Sequence, residues 1–271
     1  MNLSAYEKHQ IQKIGAWKRE APSIAFRAIG FAITPMTRLI LRVIPDSAIK
    51  SVLDFSSSAA EWLTDTDDVV RDAGVGKVED LRKHDLEKSD RLANAVHNRA
   101  IAMATAEGGA TGAAGIFGLA VDVPALIVIA LRTIHKIGAC YGFEVRTKSD
   151  RDFVLAVLSV SGSNDMIEKV AALSTLRAIE VSVAKTTWKA LAEKAATEPL
   201  GKEASTIGIK NLARQISINL TKRKTLQAIP AIGAIVGASV NGWYVKEVGW
   251  AARHAFQERW LIENHKIMEI A

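Results

Sequence analysis

The sequence is poor in cysteine, proline and aromatic side chains: one cysteine, six prolines and 6% aromatics in 271 residues. A lone thiol, Cys140, excludes an internal disulfide and fits a reducing compartment. Few prolines and no low-complexity tract argue against bulk disorder. Chemistry-bearing motifs are equally scarce. There is no Gly-x-x-x-x-Gly-Lys phosphate loop and no His-Glu-x-x-His. The six histidines (His9, His84, His97, His135, His254, His265) form no His-x-x-x-His pair and flank no cysteine pair. No metal and no cofactor is therefore expected. No helix-turn-helix, zinc finger or aromatic-rich platform points to nucleic acid, which is not an expected partner. The opening residues lack the charged head and apolar run of a secretory signal, so a cytoplasmic location is expected. No stretch alternates like a strand.

What is present is helical. Hydrophobic residues make up 49% and charged residues 24%, in a chain long enough to bury a core. The apolar spacing predicts helices over 3–20, 46–63, 77–106, 165–196, 203–220 and 244–265. Leu81, Leu92, Val96 and Ala100 form the inner side of the third. "AGVG" at 73–76 reads as a break, Ser149 and Asp152 as a capping box, and "SGSND" at 161–165 as a turn and cap. The fold expected is all-α: a basic amphipathic N-terminal helical region, 1–75, and a helical domain, 76–271.

Net charge is +6, and most of it lies early. Residues 1–50 carry eight Lys or Arg against the acids Glu7, Glu20 and Asp46. Such charge usually marks a solvated helix face. Alternating with Ile, Phe and Trp17, it also fits a collar drawn to anionic lipid, with Lys13, Lys18, Arg19 and Arg27 as its basic surface.

Two stretches stand apart. "GGATGAAGIFGLAVDVPALIVIAL", 108–131, holds Gly108, Gly109, Gly112, Gly115 and Gly118. "TLQAIPAIGAIVGASVNGWYV", 225–245, is uncharged and holds Pro230, Gly233, Gly237 and Gly242. Each helical glycine costs roughly 1 kcal/mol against alanine, so something must compensate. At 100° per residue, Gly108, Gly112 and Gly115 share a narrow stripe; Gly233 and Gly237 form a small-xxx-small pair. Close packing of one stretch on the other is the expected compensation. Asp122 reads as an N-cap with Pro124 in the first turn. That puts a corner at Asp122 and a helix over about 123–141, ended by Gly142. Arg132 and His135 would open a polar face at the mouth of this hairpin, able to hold a headgroup phosphate or simply to meet water. Trp243, beside Lys246, suits a membrane interface or a core edge equally well. Both stretches have the length of a membrane span but not its simplicity. A buried or re-entrant hairpin fits them better.

The glycine-rich run, the Asp-x-Pro corner, the ending Tyr141-Gly142 and the string from Ile229-Pro230 through Gly233 and Gly237 to Asn241 resemble the EcsC family of bacterial proteins, over about 90–265. The pattern is also similar to a membrane-associated domain appended to some bacterial GTPases, although no GTPase motif occurs here. The family takes its name from a gene beside an ABC transporter. The resemblance thus implies a bacterial, mostly helical, membrane-associated protein in a transporter context. It brings no catalytic residues.

The function expected is non-enzymatic: action at the inner face of the cytoplasmic membrane, by peripheral or re-entrant association, through lipid or a membrane-protein partner. The candidate contact residues are Gly108, Gly112, Gly115, Asp122, Pro124, Arg132, His135, Gly233, Gly237, Asn241 and Trp243. A soluble carrier holding an acyl chain between its helices is the main alternative, and a membrane-disrupting protein a further one. A serine hydrolase is the weakest reading. Ser182 with Lys185, and Ser47 with Lys50, have Ser-x-x-Lys spacing, but the companion motifs of such enzymes are missing.

Overall fold

The computed structural model describes residues 3–22, 65–83, 85–112, 115–163, 165–192 and 233–268. The helices expected at 46–63 and 203–220 lie outside them, as do Arg27 and Ser47. Among the described residues there are seven α-helices and no strand: α1 (Ala5–Arg19), α2 (Asp67–Ala73), α3 (Leu86–Gly112), α4 (Gly115–Cys140), α5 (Lys148–Gly162), α6 (Met166–Ala192) and α7 (Gly233–Glu263). A 3-10 helix, Val78–Lys83, precedes α3. The fold is all-α, as the periodicity predicts.

Local chemistry sets most boundaries. Ser4 Oγ accepts from the Glu7 amide at 3.0 Å, and Glu7 returns the bond to the Ser4 amide at 2.7 Å, starting α1 with a capping box. Gly74 caps α2 in the left-handed conformation at φ 67°. Gly142, at φ 85°, turns the chain after α4 where a side chain would collide with Arg82. The box opening α5 is Thr147 with Asp150, two residues ahead of the expected Ser149 and Asp152. Both pairs have the right spacing; the extended φ and ψ of Thr147 decide between them.

Three sequence expectations need correction. The expected corner at Asp122 is absent: α4 runs unbroken through Asp122 and Pro124. An interior proline costs about 3 kcal/mol. Burying Leu126, Ile127, Leu131 and Ile134, each at most 1% exposed, returns roughly 1.5–3 kcal/mol per side chain, so the helix persists. Helix α3 ends at Gly112 and α4 begins at Gly115, so the proposed glycine stripe is divided between them. Finally, α7 begins at Gly233, not at 244, so the second uncharged stretch and the last helix are one element.

Helix α3 packs on both α4 and α7, which also pack on each other. Against α7 it is antiparallel. Gly242 meets Thr105, His97 lies on Gly249, Arg253 donates to Asn94 at 3.0 Å, and Gln257 donates to Asp90 at 2.8 Å. The helices touch closely because the two contact positions on α7 lack side chains; a methyl group at Gly242 or Gly249 would overlap Thr105 or the His97 ring. Gly138 on α4 does the same for the Phe256 ring. The apolar side of α1, with Ile14 fully buried, is built into the same core.

Gly249→Ala should therefore lower stability by about 1–3 kcal/mol in denaturant unfolding. Gly162→Ala, with nothing within 4 Å of the new methyl, should be neutral or stabilising by roughly 0.5–1 kcal/mol. Equal effects at the two positions would contradict the packing described.

Candidate functional site

Among the described residues, the most ligand-like feature is a groove between α3 and α4. Its volume is about 270 Å3, and its floor is Val96, Ala100, Met103, Val128 and Ile129. Arg99, Arg132, Lys136 and Asp68 stand around it. The spacing explains the arrangement: Val96, Ala100 and Met103 recur at i, i+4 and i+7 on α3, and the hairpin sets them against one turn of α4. Met103 is 54% exposed, so apolar surface reaches solvent here.

Ion pairs fix the rim. Lys136 Nζ lies 2.6 Å from Asp68 and ties α2 to α4. Arg99 reaches Asp68 and Asp72, each at 3.6 Å, and ties α2 to α3. Partial burial alone would raise the Asp68 pKa. The hydrogen bond and charge of Lys136, the Val69 amide and Arg99 outweigh it and hold the carboxyl below its usual range. Arg132, half-buried at the mouth, has no ion-pair partner among the described residues.

A second depression, of about 610 Å3, lies by Leu3, Glu7, Lys83, Trp260 and Lys266. Its lining is half polar and its charges serve the fold: Glu7 caps α1 and pairs with Lys266 at 3.1 Å. Among the described residues no group of His, Cys, Asp and Glu could hold a metal ion.

The candidate residues divide. Arg132 is at the groove. His135, one residue short of Lys136, turns away into the core: it is 2% exposed and neither ring nitrogen has a hydrogen-bond partner. It therefore shares no headgroup site with Arg132 and meets no water, because its side of α4 faces the interior. Asn241 is 1% exposed, and Trp243 is half-buried against the core. Gly108 and Gly112 lie in the last turns of α3 and Gly115 opens α4; Asp122 and Pro124 follow within α4, and Gly233 and Gly237 lie in the first turns of α7. Ser182 and Lys185 lie on α6.

The basic surface is also rearranged. Lys13 and Arg19 are exposed, but Lys18 pairs with Glu258 at 2.8 Å. The apolar face of α1 is consumed by the core, leaving only its charge for a membrane. Trp17 of α1 packs on His254, with ring centres 5.1 Å apart. That is seventeen residues, about 25 Å of helix, from Gly237. The described part of the basic collar, on α1, is thus well separated from the glycine-rich start of α7. Cations nearer the glycine-rich helix ends are Arg99 and Lys246; Arg132 stands seventeen residues, about 25 Å of helix, from Gly115.

The largest polar feature was not legible in the sequence. Asp90 on α3, 3% exposed, accepts from Tyr6 of α1 at 2.6 Å, from Tyr141 just after α4, and from Gln257 of α7. Gln257 in turn accepts from His254 Nδ1 at 3.1 Å. Burial first, then Asp90, pushes the Tyr6 and Tyr141 hydroxyl pKa values up, so both remain donors.

With this geometry in place, the comparisons are decisive. The sequence matches the EcsC protein family over residues 8–261. The chain belongs to the EcsC family. It is 22% identical over 272 residues to uncharacterized protein YdbA of Bacillus subtilis (strain 168), covering 96% of this chain and 94% of that protein. It is 29% identical over 162 residues to protein EcsC of the same organism, covering 60% of this chain and 59% of that one. No solved structure matches. The family match runs across residue 75 and includes α1, in keeping with the packing of α1 into the common core.

Buried titratable groups give the fold a defined pH response. Burial lowers His97, His135 and His254 from 6.5 to about 4. Burial, then the charge of Glu258, raises Glu180 from 4.5 to about 8. The stability owed to the neutral imidazoles is complete above pH 6.5 and is lost as pH falls toward 4. The contribution of protonated Glu180 is complete below 4.5 and is lost as pH rises to 8. Where the windows overlap, three imidazoles outweigh one carboxyl. Thermal denaturation across pH should therefore show greatest stability near pH 6.5, with a steep acid limb and a shallow alkaline one. A profile rising steadily from 6.5 to 8 would contradict the assignment.

Proposed function

We propose that this EcsC-family protein is non-enzymatic and works at the inner face of the bacterial cytoplasmic membrane, meeting lipid or a membrane-protein partner through one end of its bundle. The observation that carries the reading is the α3–α7 register. Continued beyond Thr105 and Gly242, it brings the end of α3 alongside the start of α7, and α4 starts just after α3 ends. Three glycine-rich helix ends thereby gather at one end of the bundle. Residues 225–245 carry no charge, and 108–131 carry only Asp122.

Below that end stand Arg99 and Lys246. From Arg99 to Ala110 is eleven residues, about 16 Å of helix, close to one leaflet of a hydrocarbon core roughly 30 Å thick. Cations at that level suit anionic headgroups. No helix of the described residues is long and apolar enough to cross a membrane. Contact with one face, not a span, is the mode proposed. Glu107 and Asp122 limit its depth, since charge inside hydrocarbon is costly. The names of the relatives specify no ligand, so the mode of contact rests on this arrangement.

Flotation with phosphatidylglycerol vesicles against phosphatidylcholine vesicles tests the reading. The protein should float with the anionic vesicles. Lys246→Glu should weaken that binding about tenfold or more, at roughly 1 kcal/mol per surface charge and twice that for a reversal. Reversing Lys8, Lys13 and Arg19 on α1 should matter less. Protein that stays at the bottom of the gradient with phosphatidylglycerol, or that depends only on the α1 charges, would refute it.

A further inference from the structure

We propose that the α3–α4 groove is a binding site for a single-chain anionic amphiphile of the fatty-acid class, its alkyl chain on the Val96–Ala100–Met103 floor and its carboxylate on Arg132. The proposal rests on the membrane reading above only for where the ligand comes from.

Size selects the chain. A volume of about 270 Å3 lies at the lower edge of the roughly 300–1,000 Å3 typical of small-molecule sites. It holds one chain and not the body of a two-chain lipid. Its floor is apolar on both helices, and the exposed Met103 supplies an unbranched, adaptable wall where the groove opens.

Charge selects the head. The rim cations are Arg99, Arg132 and Lys136, and Asp68 with Asp72 answers two of them through the pairs with Arg99 and Lys136. One positive charge remains, on the Arg132 guanidinium, which lacks an ion-pair partner among the described residues. One uncommitted guanidinium matches a monoanion and can take a carboxylate through two parallel N–H bonds. A dianionic phosphate would face Asp68 with no second free cation. Thr133 does not compete for the ligand, because its hydroxyl donates to the Ile129 carbonyl at 2.7 Å.

Helix geometry sets the direction of the chain. Arg132 lies one turn of α4 beyond Val128 and Ile129, and Met103 lies one turn of α3 beyond Arg99, toward the glycine-rich end. A carboxylate on Arg132 therefore points its chain toward the end of the bundle proposed to meet the membrane. A chain leaving a leaflet would enter head first, its carboxylate moving along the groove to the arginine.

Displacement of a fluorescent fatty acid from the full-length protein by decanoate tests the site, with decanol and decyl phosphate as comparison ligands. Decanoate should compete saturably at one site. Decanol, with the same chain and no charge, should compete about tenfold more weakly, the scale of one charge-assisted hydrogen bond. Decyl phosphate should compete no better than decanoate. Arg132→Gln, at a half-buried position without an ion pair, should lose about tenfold for decanoate and leave decanol unchanged. Met103→Glu, on an exposed position, should weaken both, and circular dichroism should show each variant folded. Equal competition by decanol and decanoate, or an Arg132→Gln variant that binds decanoate normally, overturns the site. No decanoate competition from a protein that still floats with phosphatidylglycerol vesicles overturns the groove alone. Decanoate competition from a protein that does not float upholds the groove and overturns the membrane reading.

Discussion

A single buried carboxyl group holds the architecture together. Asp90 sits near the start of α3 and gathers donors from three other parts of the chain: Tyr6 from α1, Tyr141 from the end of α4, and Gln257 from α7. Both oxygens are occupied, and every partner is a donor. A buried carboxyl is tolerable only when satisfied in this way, and each such bond is worth more than a neutral one. No other side chain described here hydrogen-bonds to as many separate elements. It fixes where α1 lies, where α4 ends and how α7 is phased against α3.

Phase is what the remaining contacts require. With Gln257 on Asp90, one further stretch of helix puts Arg253 on Asn94, the next puts Gly249 under His97, and the next puts Gly242 under Thr105. A slip of one residue along α7 would set Val248 or Trp250 against the His97 ring, where no side chain fits. The His97 Nε2–H bond to the Lys246 carbonyl at 3.0 Å would also be lost. Glycine thus permits the close approach, while the polar hub selects which register uses it. The groove follows, because the same hub fixes the end of α4, and Val128 and Ile129 of α4 then meet Val96, Ala100 and Met103 of α3. The ion pairs of Asp68 then close one edge and leave Arg132 open.

Helical class, the break at 73–76 and the turn at Gly142 were legible, because each depends on neighbours within a few residues. Family membership was legible too, carried by the glycine and proline spacing. The corner at Asp122 misled, since Asp-x-Pro is a helix start by local rules. The long apolar side continuing through Leu126 and Ile134 overrode it. Asp90 could not have been found: on a polar helix it reads as a solvated acid, and its partners lie 84, 51 and 167 residues away. Arg132 was found for a different reason from the one that distinguishes it. Its helix position suggested a pair with His135, but His135 is buried in the core. The absence of a counter-ion, not the company of a histidine, makes the arginine noteworthy.

The account rests on the buried bonds to Asp90 stabilising the fold, above all the one from Tyr141. A double-mutant cycle between Asp90→Asn and Tyr141→Phe, followed by denaturant unfolding, measures this directly. If that bond holds the fold, the two losses will be strongly non-additive, with a coupling of about 1–2 kcal/mol, because once the acceptor is replaced the tyrosine hydroxyl has little left to lose. Additive losses, within about 0.3 kcal/mol, would show that Asp90 and Tyr141 do not act together and would contradict the account.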